Sequence, residues 1–214
     1  MPAVWFATRP PAAEGVSVTS VGAPTPTPGA TRSASRPAAP APAGSLPALT
    51  ARPAVPGTAA ARPAPRRLRI PSVGVDAAIE PVGVDASGSM VIPRQVDAVG
   101  WYRFGPAPGD PAGAAVVAGH VDSKDQGAGA LLPLRVAGVG DRVTVTTADG
   151  GSMAYRVVGK ETIVKKRLPV ERLFARDGAP RLVLITCGGP FLPELSSYRD
   201  NLVVVAVPVG GGTP

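Results

Sequence analysis

The stretch Arg142-Val143-Thr144-Val145-Thr146-Thr147-Ala148-Asp149-Gly150-Gly151-Ser152-Met153-Ala154-Tyr155-Arg156-Val157-Val158 decides the class of the fold. Its first half alternates polar and apolar side chains, which a pleated strand sends to opposite faces. Asp149-Gly150-Gly151 supplies the residues that a tight hairpin turn requires, and Ser152–Val158 returns as a second strand. The reading is an antiparallel hairpin with one face in a core and the other in water.

Working outward, the same grammar recurs. Short apolar runs occupy Arg67–Ile70 before Pro71, Ala77–Val82, Met90–Ile92 before Pro93, Ala114–Val121 and Ile163–Val164. Arg181–Cys187 and Leu202–Val209 are rich in β-branched residues and read as the closing strands. Between them, Gly100–Gly113 reads as a long irregular piece holding Trp101, Tyr102 and Phe104. Leu131–Arg135 and Val170–Phe174 are long enough only for helical turns, and no long amphipathic helix is visible. Many short strands separated by turn signals predict an all-β fold, a closed or nearly closed barrel.

Composition divides the 214 residues into parts. Residues 1–65 hold about half of the 27 prolines, much Ala, Thr and Ser, and no Lys. Such a stretch buries too little to offset the entropy of ordering its backbone, so it reads as a disordered stalk. Residues 66–209 are expected to form one domain with a core of its own, and 210–214 a flexible C-terminal tail. No segment of about 20 apolar residues is present, and no charged leader precedes an apolar run. Val4-Trp5-Phe6-Ala7 reads as the end of a truncated membrane anchor, with the true start upstream.

The net charge is +7, of which residues 1–65 contribute +4 from five scattered Arg and one Glu. Scattered charge without interleaved aromatics on one element is not a nucleic-acid footprint, and no nucleic-acid partner is expected. With one Cys and one His, a zinc site cannot be closed without carboxylates at unrelated spacings, so neither a metal nor another cofactor is expected. A single Cys also precludes an internal disulfide.

That cysteine, Cys187, ends the run Leu182-Val183-Leu184-Ile185-Thr186, and the single histidine, His120, ends Val116-Val117-Ala118-Gly119. Both lie where a strand stops and a Gly-flanked loop begins, the place where side chains emerge at a barrel rim. A lone Cys or His after a strand is commonly structural, yet Gly119, Gly188 and Gly189 would let a substrate backbone approach closely. On pattern alone the structural and chemical readings are evenly matched.

The motifs break the tie. Leu184-Ile185-Thr186-Cys187 resembles the Thr-Cys signature of the sortases, with His120 upstream and Arg199 downstream in the order that family uses. Gly119-His120-Val121-Asp122-Ser123, Ile185-Thr186-Cys187-Gly188-Gly189, Tyr198-Arg199-Asp200-Asn201 and Leu68-Arg69-Ile70-Pro71-Ser72-Val73-Gly74-Val75-Asp76 are similar, more narrowly, to the class F sortases of actinobacteria. The resemblance spans about Arg66 to Val209.

It implies a sortase-type β-barrel of about eight strands with short helices, working as a cysteine transpeptidase. Cys187 would attack a carbonyl in a Leu-Pro-x-Thr-Gly-like sorting signal and form a thioester. His120 would move the protons, and Arg199 would stabilise the oxyanion or hold the peptide. Ile185, Thr186 and Gly188 would contact substrate, and Asp122 would orient the imidazole or cap its loop. Arg181 is a weaker substitute for Arg199, and a plain surface pairing of Arg199 with Asp200 is the plainer alternative. Implied partners are surface proteins carrying a C-terminal sorting signal and an amine acceptor such as a peptidoglycan precursor, at an extracytoplasmic cell surface. Two alternatives remain: another cysteine acyl-transferase, or a wall-associated β-barrel that binds without chemistry.

Overall fold

The computed structural model describes residues 13–22 and 63–210. The described residues form eleven strands: β1 (Ala13–Gly15), β2 (Pro65–Ile70), β3 (Val75–Val82), β4 (Ala98–Tyr102), β5 (Ala114–Gly119), β6 (Asp122–Ser123), β7 (Gly127–Ala128), β8 (Arg142–Thr147), β9 (Ser152–Val164), β10 (Arg181–Leu192) and β11 (Ser197–Pro208). The helical content among the described residues is one α-helical turn, α1 (Val170–Leu173), and four 3-10 turns, one of them Leu132–Arg135. Among the described residues no helix is long and apolar enough to cross a membrane. Val4–Ala7, most of the expected stalk and residues 211–214 lie outside the described residues.

The hairpin read from 142–158 is present, with Arg142 opposite Arg156 and Thr146 opposite Ser152. From it the sheet runs β9, β11, β10, β5, β4, β3, β2, β8, and β8 pairs back to β9. The barrel therefore closes with eight strands. The pairs β3–β4 and β5–β10 are parallel and the others antiparallel.

Strand parity divides the apolar residues into two cores. Leu68, Ile79, Val117, Val145, Leu184 and Val204 point inward with their neighbours and fill the barrel. Ala114, Val116 and Ala118 of β5, Val183 and Ile185 of β10, and Val203 and Val205 of β11 point outward and form a second apolar layer, covered in part by Leu173 of α1. These three strands are buried on both faces, which explains why they read as continuous apolar runs while β8 reads as an alternation.

Several elements differ from the sequence reading. Ala98–Tyr102 is a strand, and its end lies inside the piece expected to be irregular from Gly100 on. Met90–Ile92 forms no strand; only a single bridge joins Met90 to Val84. The runs at Ser152–Val158 and Ile163–Val164 are one strand, because β11 pairs continuously alongside from Tyr155 to Val164 apart from one bulge.

The largest difference is residues 13–22, which composition assigns to the stalk. The first half of β9 is paired by β8, but its second half would present an open edge at Gly159–Glu161, and β1 pairs with that edge. Val16 N–H donates to the Val158 carbonyl at 2.9 Å. A Cβ at Gly159 would run into the Val16 carbonyl, so glycine is what lets this strap close. Lys160 Nζ lies 3.1 Å from Glu14 and donates to the Ala137 carbonyl at 2.5 Å. Beyond β1, Val18 is 2 % exposed and sits in the outer layer with Val183, Val203 and Val205.

Candidate active site

The parallel pair β5–β10 fixes the site. Its register sets Arg181 beside Ala114 and Ile185 beside Ala118. One residue further, Thr186 Oγ1 donates to the Gly119 carbonyl at 2.9 Å. The next residues along the two chains are Cys187 and His120, both partly buried at the ends of their apolar runs. Parity gives their direction. Val183 and Ile185 point outward on β10, as do Val116 and Ala118 on β5, so Cys187 and His120 emerge on the outer apolar layer.

β11 completes the face. Asn201 pairs with Cys187 and Val203 with Ile185, so Arg199 falls on the same side, two residues beyond Asn201. Ala118 and Ile185, the outward residues that precede His120 and Cys187, are buried in the outer layer, and the partly buried Met90, Ile92, Ile163 and Leu168 pack against that layer and keep some apolar surface accessible. A peptide with an apolar side chain could lie here with its backbone close to Cys187.

His120 and Arg199 each have a defined partner. His120 Nε2 is 2.9 Å from the Pro93 carbonyl. A carbonyl only accepts, so Nε2 carries a hydrogen and Nδ1 is the nitrogen left for proton transfer. The loop after His120 is tied back on itself: Leu131 N–H donates to the His120 carbonyl, and Gly129 N–H to that of Val121. A Cβ at Gly129 would collide with the His120 carbonyl.

Arg199 Nε donates to Asp200 Oδ1 at 2.8 Å and Nη2 to Oδ2 at 2.9 Å. The plainer alternative for Arg199 is thus realised, but its partner is no surface carboxylate: Asp200 is 3 % exposed. The pair raises the arginine further above its ordinary value, first through the hydrogen bond and then through charge. Opposite, Gly189 has φ +69°, and a Cβ there would run into the Asp200 carboxylate.

Three residues stand differently from expectation. Thr186 is turned into the barrel and its hydroxyl is committed to Gly119, so it joins β5 to β10 and does not face the groove. Parity is the reason: Cys187 and Ile185 point outward, and the residue between them must point in. Asp122 does not reach the imidazole; it accepts a hydrogen bond from the Tyr198 hydroxyl. Arg181, 5 % exposed, donates to the carbonyls of Arg172 and Ala179 at 3.0 Å each and belongs to the start of β10, far along the strand from Cys187. Burial lowers its affinity for the proton. Ile185 and Gly188 are both buried beside the thiol.

Two further residues shape the site: Tyr198, which belongs to a quoted motif that assigns it no role, and Gln126, which no sequence pattern singles out. Tyr198 packs edge-on against Phe191, ring centroids 5.3 Å apart, with the Arg135 guanidinium 5.8 Å from its centroid. The Asp122 hydrogen bond is the first cause that raises its pKa; burial adds to this and Arg135 opposes it. Gln126 lies on the loop after His120, and its amide bonds to main chain at Arg94 and Val96.

Comparison with known proteins bears on this geometry. The family profile described as the sortase domain matches residues 68–209. Among solved structures, the chain is similar to sortase C-1 of Actinomyces oris (21 % identity, TM-score 0.53, 68 % of this chain and 71 % of that one). It is similar also to a lid mutant of sortase A from Corynebacterium diphtheriae (20 %, 0.53, 72 % and 74 %). A third is sortase C1 of Streptococcus agalactiae in complex with MTSET (19 %, 0.54, 71 % and 72 %). At these identities the likeness is one of fold. No curated protein matches the chain.

Proposed function

The chain belongs to the sortase family, and from that premise we propose that Cys187, His120 and Arg199 are the reacting groups of a cysteine transpeptidase. What supports this reading is the parallel register of β5 and β10, which pairs Ile185 with Ala118 two residues before Cys187 and His120 on an apolar outer face.

The chemistry follows from the residue types. The Cys187 thiolate adds to a peptide carbonyl, and the carbonyl oxygen becomes an oxyanion. Arg199 donates to it through guanidinium N–H groups that Asp200 does not take, and the Asp200 contact fixes the plane in which they point. The C–N bond breaks, and His120 Nδ1 gives its proton to the departing amine, leaving a thioester on Sγ. An incoming amine then loses a proton to Nδ1 as it attacks the thioester. The new amide forms and the thiolate returns, so no net proton is gained or lost.

The donor we propose is a C-terminal sorting signal of the Leu-Pro-x-Thr-Gly kind, cut after Thr, and the acceptor an amine of the cell wall such as a peptidoglycan precursor. The partly buried apolar side chains of Met90, Ile92, Ile163 and Leu168 on the outer layer suit the leucine of such a signal. The class F affinity of the motifs belongs to the same proposal. Sortases act at the cell surface, and the proposal assigns this one to the same location.

Incubation with a Leu-Pro-Ala-Thr-Gly peptide, with and without an added amine, tests the reading by mass spectrometry beside Cys187→Ala. Cleavage after Thr with joining to the amine, absent in the variant, is the expected result. No cleavage by either protein, with Cys187 inert to a thiol reagent, would overturn it.

A further inference from the structure

We propose that Gln126 is a positioning residue for His120, acting through the main chain of residues 93–96 to hold the imidazole in its Nε2–H form. This rests on the reading above that His120 moves the protons.

The Pro93 carbonyl that receives His120 Nε2 belongs to a segment outside every strand of the barrel. A ring held by a carbonyl on unpaired backbone is only as well oriented as that backbone. The segment is gripped by the loop that follows His120 itself. Gln126 Nε2 donates to the Arg94 carbonyl at 3.0 Å, and its Oε1 accepts from Val96 N–H at 3.3 Å. Ala130 N–H then donates to the Val96 carbonyl at 2.7 Å. The side-chain amide of Gln126 so imitates a neighbouring strand, satisfying one acceptor and one donor two residues apart.

The contacts form a closed circuit. It runs from the His120 ring to the Pro93 carbonyl, along the chain to Arg94 and Val96, across to Gln126, and back through Asp125–Val121 to His120. Loosening Gln126 frees the carbonyl that selects the tautomer. With Nε2–H no longer favoured, part of the population holds its hydrogen on Nδ1 and presents the wrong nitrogen for the proton-accepting step. A residue that only stapled a surface loop would change stability without changing the ring.

The chain has a single histidine, so its imidazole nitrogens can be observed without assignment. The full-length protein labelled with 15N-histidine is examined by long-range 1H–15N correlation, as wild type and as Gln126→Met, which keeps the side-chain length and removes both hydrogen bonds. The wild type is expected to show the neutral ring chiefly as Nε2–H. Gln126→Met should show a mixture, with kcat lowered about fivefold and KM within about twofold. A wild-type ring protonated chiefly on Nδ1 would overturn the proposal. So would an unchanged tautomer in Gln126→Met, whatever its melting temperature. If neither protein processes any peptide, the transpeptidase reading fails, and the tautomer populations still decide whether Gln126 orients the ring.

Discussion

The carboxylate of Asp200 meets the guanidinium of Arg199 edge to edge, two hydrogen bonds of 2.8 and 2.9 Å between consecutive residues. Neighbours on a strand ordinarily point to opposite faces. Here Asp200 is buried and the arginine bends back to it, so the bond holds the long side chain at the rim. Asp200→Asn keeps the shape but leaves one good acceptor. It is expected to lower kcat about tenfold with a smaller effect on KM, and Arg199→Lys, which cannot form the fork, to cost more. Steady-state kinetics of both variants check this; an Asp200→Asn enzyme as fast as wild type would remove Asp200 from the account.

Gly189→Ala should act through the same carboxylate. The residue has a left-handed backbone, costing an L side chain about 1–2 kcal/mol, and its Cβ would press on Asp200. Loss of stability together with loss of turnover is expected, where a glycine needed only for the turn would lose stability alone. Chemical denaturation and kinetics on one preparation separate the two.

Tyr198 joins the loop after His120 to the start of β11 through Asp122. In the folded chain its proton is held more tightly than in an unfolded one, chiefly because the Asp122 carboxylate accepts it. The link therefore contributes its full stability below about pH 10, the ordinary tyrosine value, and loses it as pH rises through the higher folded value. Phenolate absorbance should show a late-titrating component that is absent in Tyr198→Phe and returned toward the ordinary range in Asp122→Asn. A titration unaltered by Asp122→Asn would count against the link.

Thr186→Val removes the hydroxyl that ties β10 to the Gly119 carbonyl and leaves that carbonyl without this donor in a buried place. A loss of about 1–3 kcal/mol is expected, with Thr186→Ser near wild type. Preference among substrate peptides should not change, since the side chain lies inside the barrel. A changed preference would return Thr186 to the groove.

Val18→Ala tests the strap. The side chain is almost fully buried, so its truncation should cost about 2 kcal/mol in denaturant unfolding. The strap ends near Arg181, at the start of β10 and well before Cys187, so KM for a peptide should be unchanged. A large KM change would mean that the strap borders the groove.

What a sequence discloses depends on how local the cause is. The hairpin at 142–158 is legible because alternation and turn lie within one short stretch. His120 and Cys187 are legible because each ends an apolar strand beside glycine and matches a family motif. Ala98–Tyr102 escapes such a reading because it is buried almost throughout and shows no alternation. Thr186 reads as a substrate contact from its motif, although its own neighbours, Ile185 and Cys187, fix it inward by parity alone. Gln126 and Tyr198 act on main chain or carboxylate 30 and 76 residues away, and no local pattern announces such a bond.

The strap has one more consequence. Ala13–Gly22 is docked on the barrel, yet the chain that joins it to β2 runs through residues 23–62. The strap is therefore an intramolecular ligand, and its hold on the edge of β9 owes part of its strength to that covalent connection rather than to its contacts alone. Cutting the chain between strap and barrel would leave every contact in place but make the strap a separate peptide obeying mass action, released on dilution and restored by adding it back.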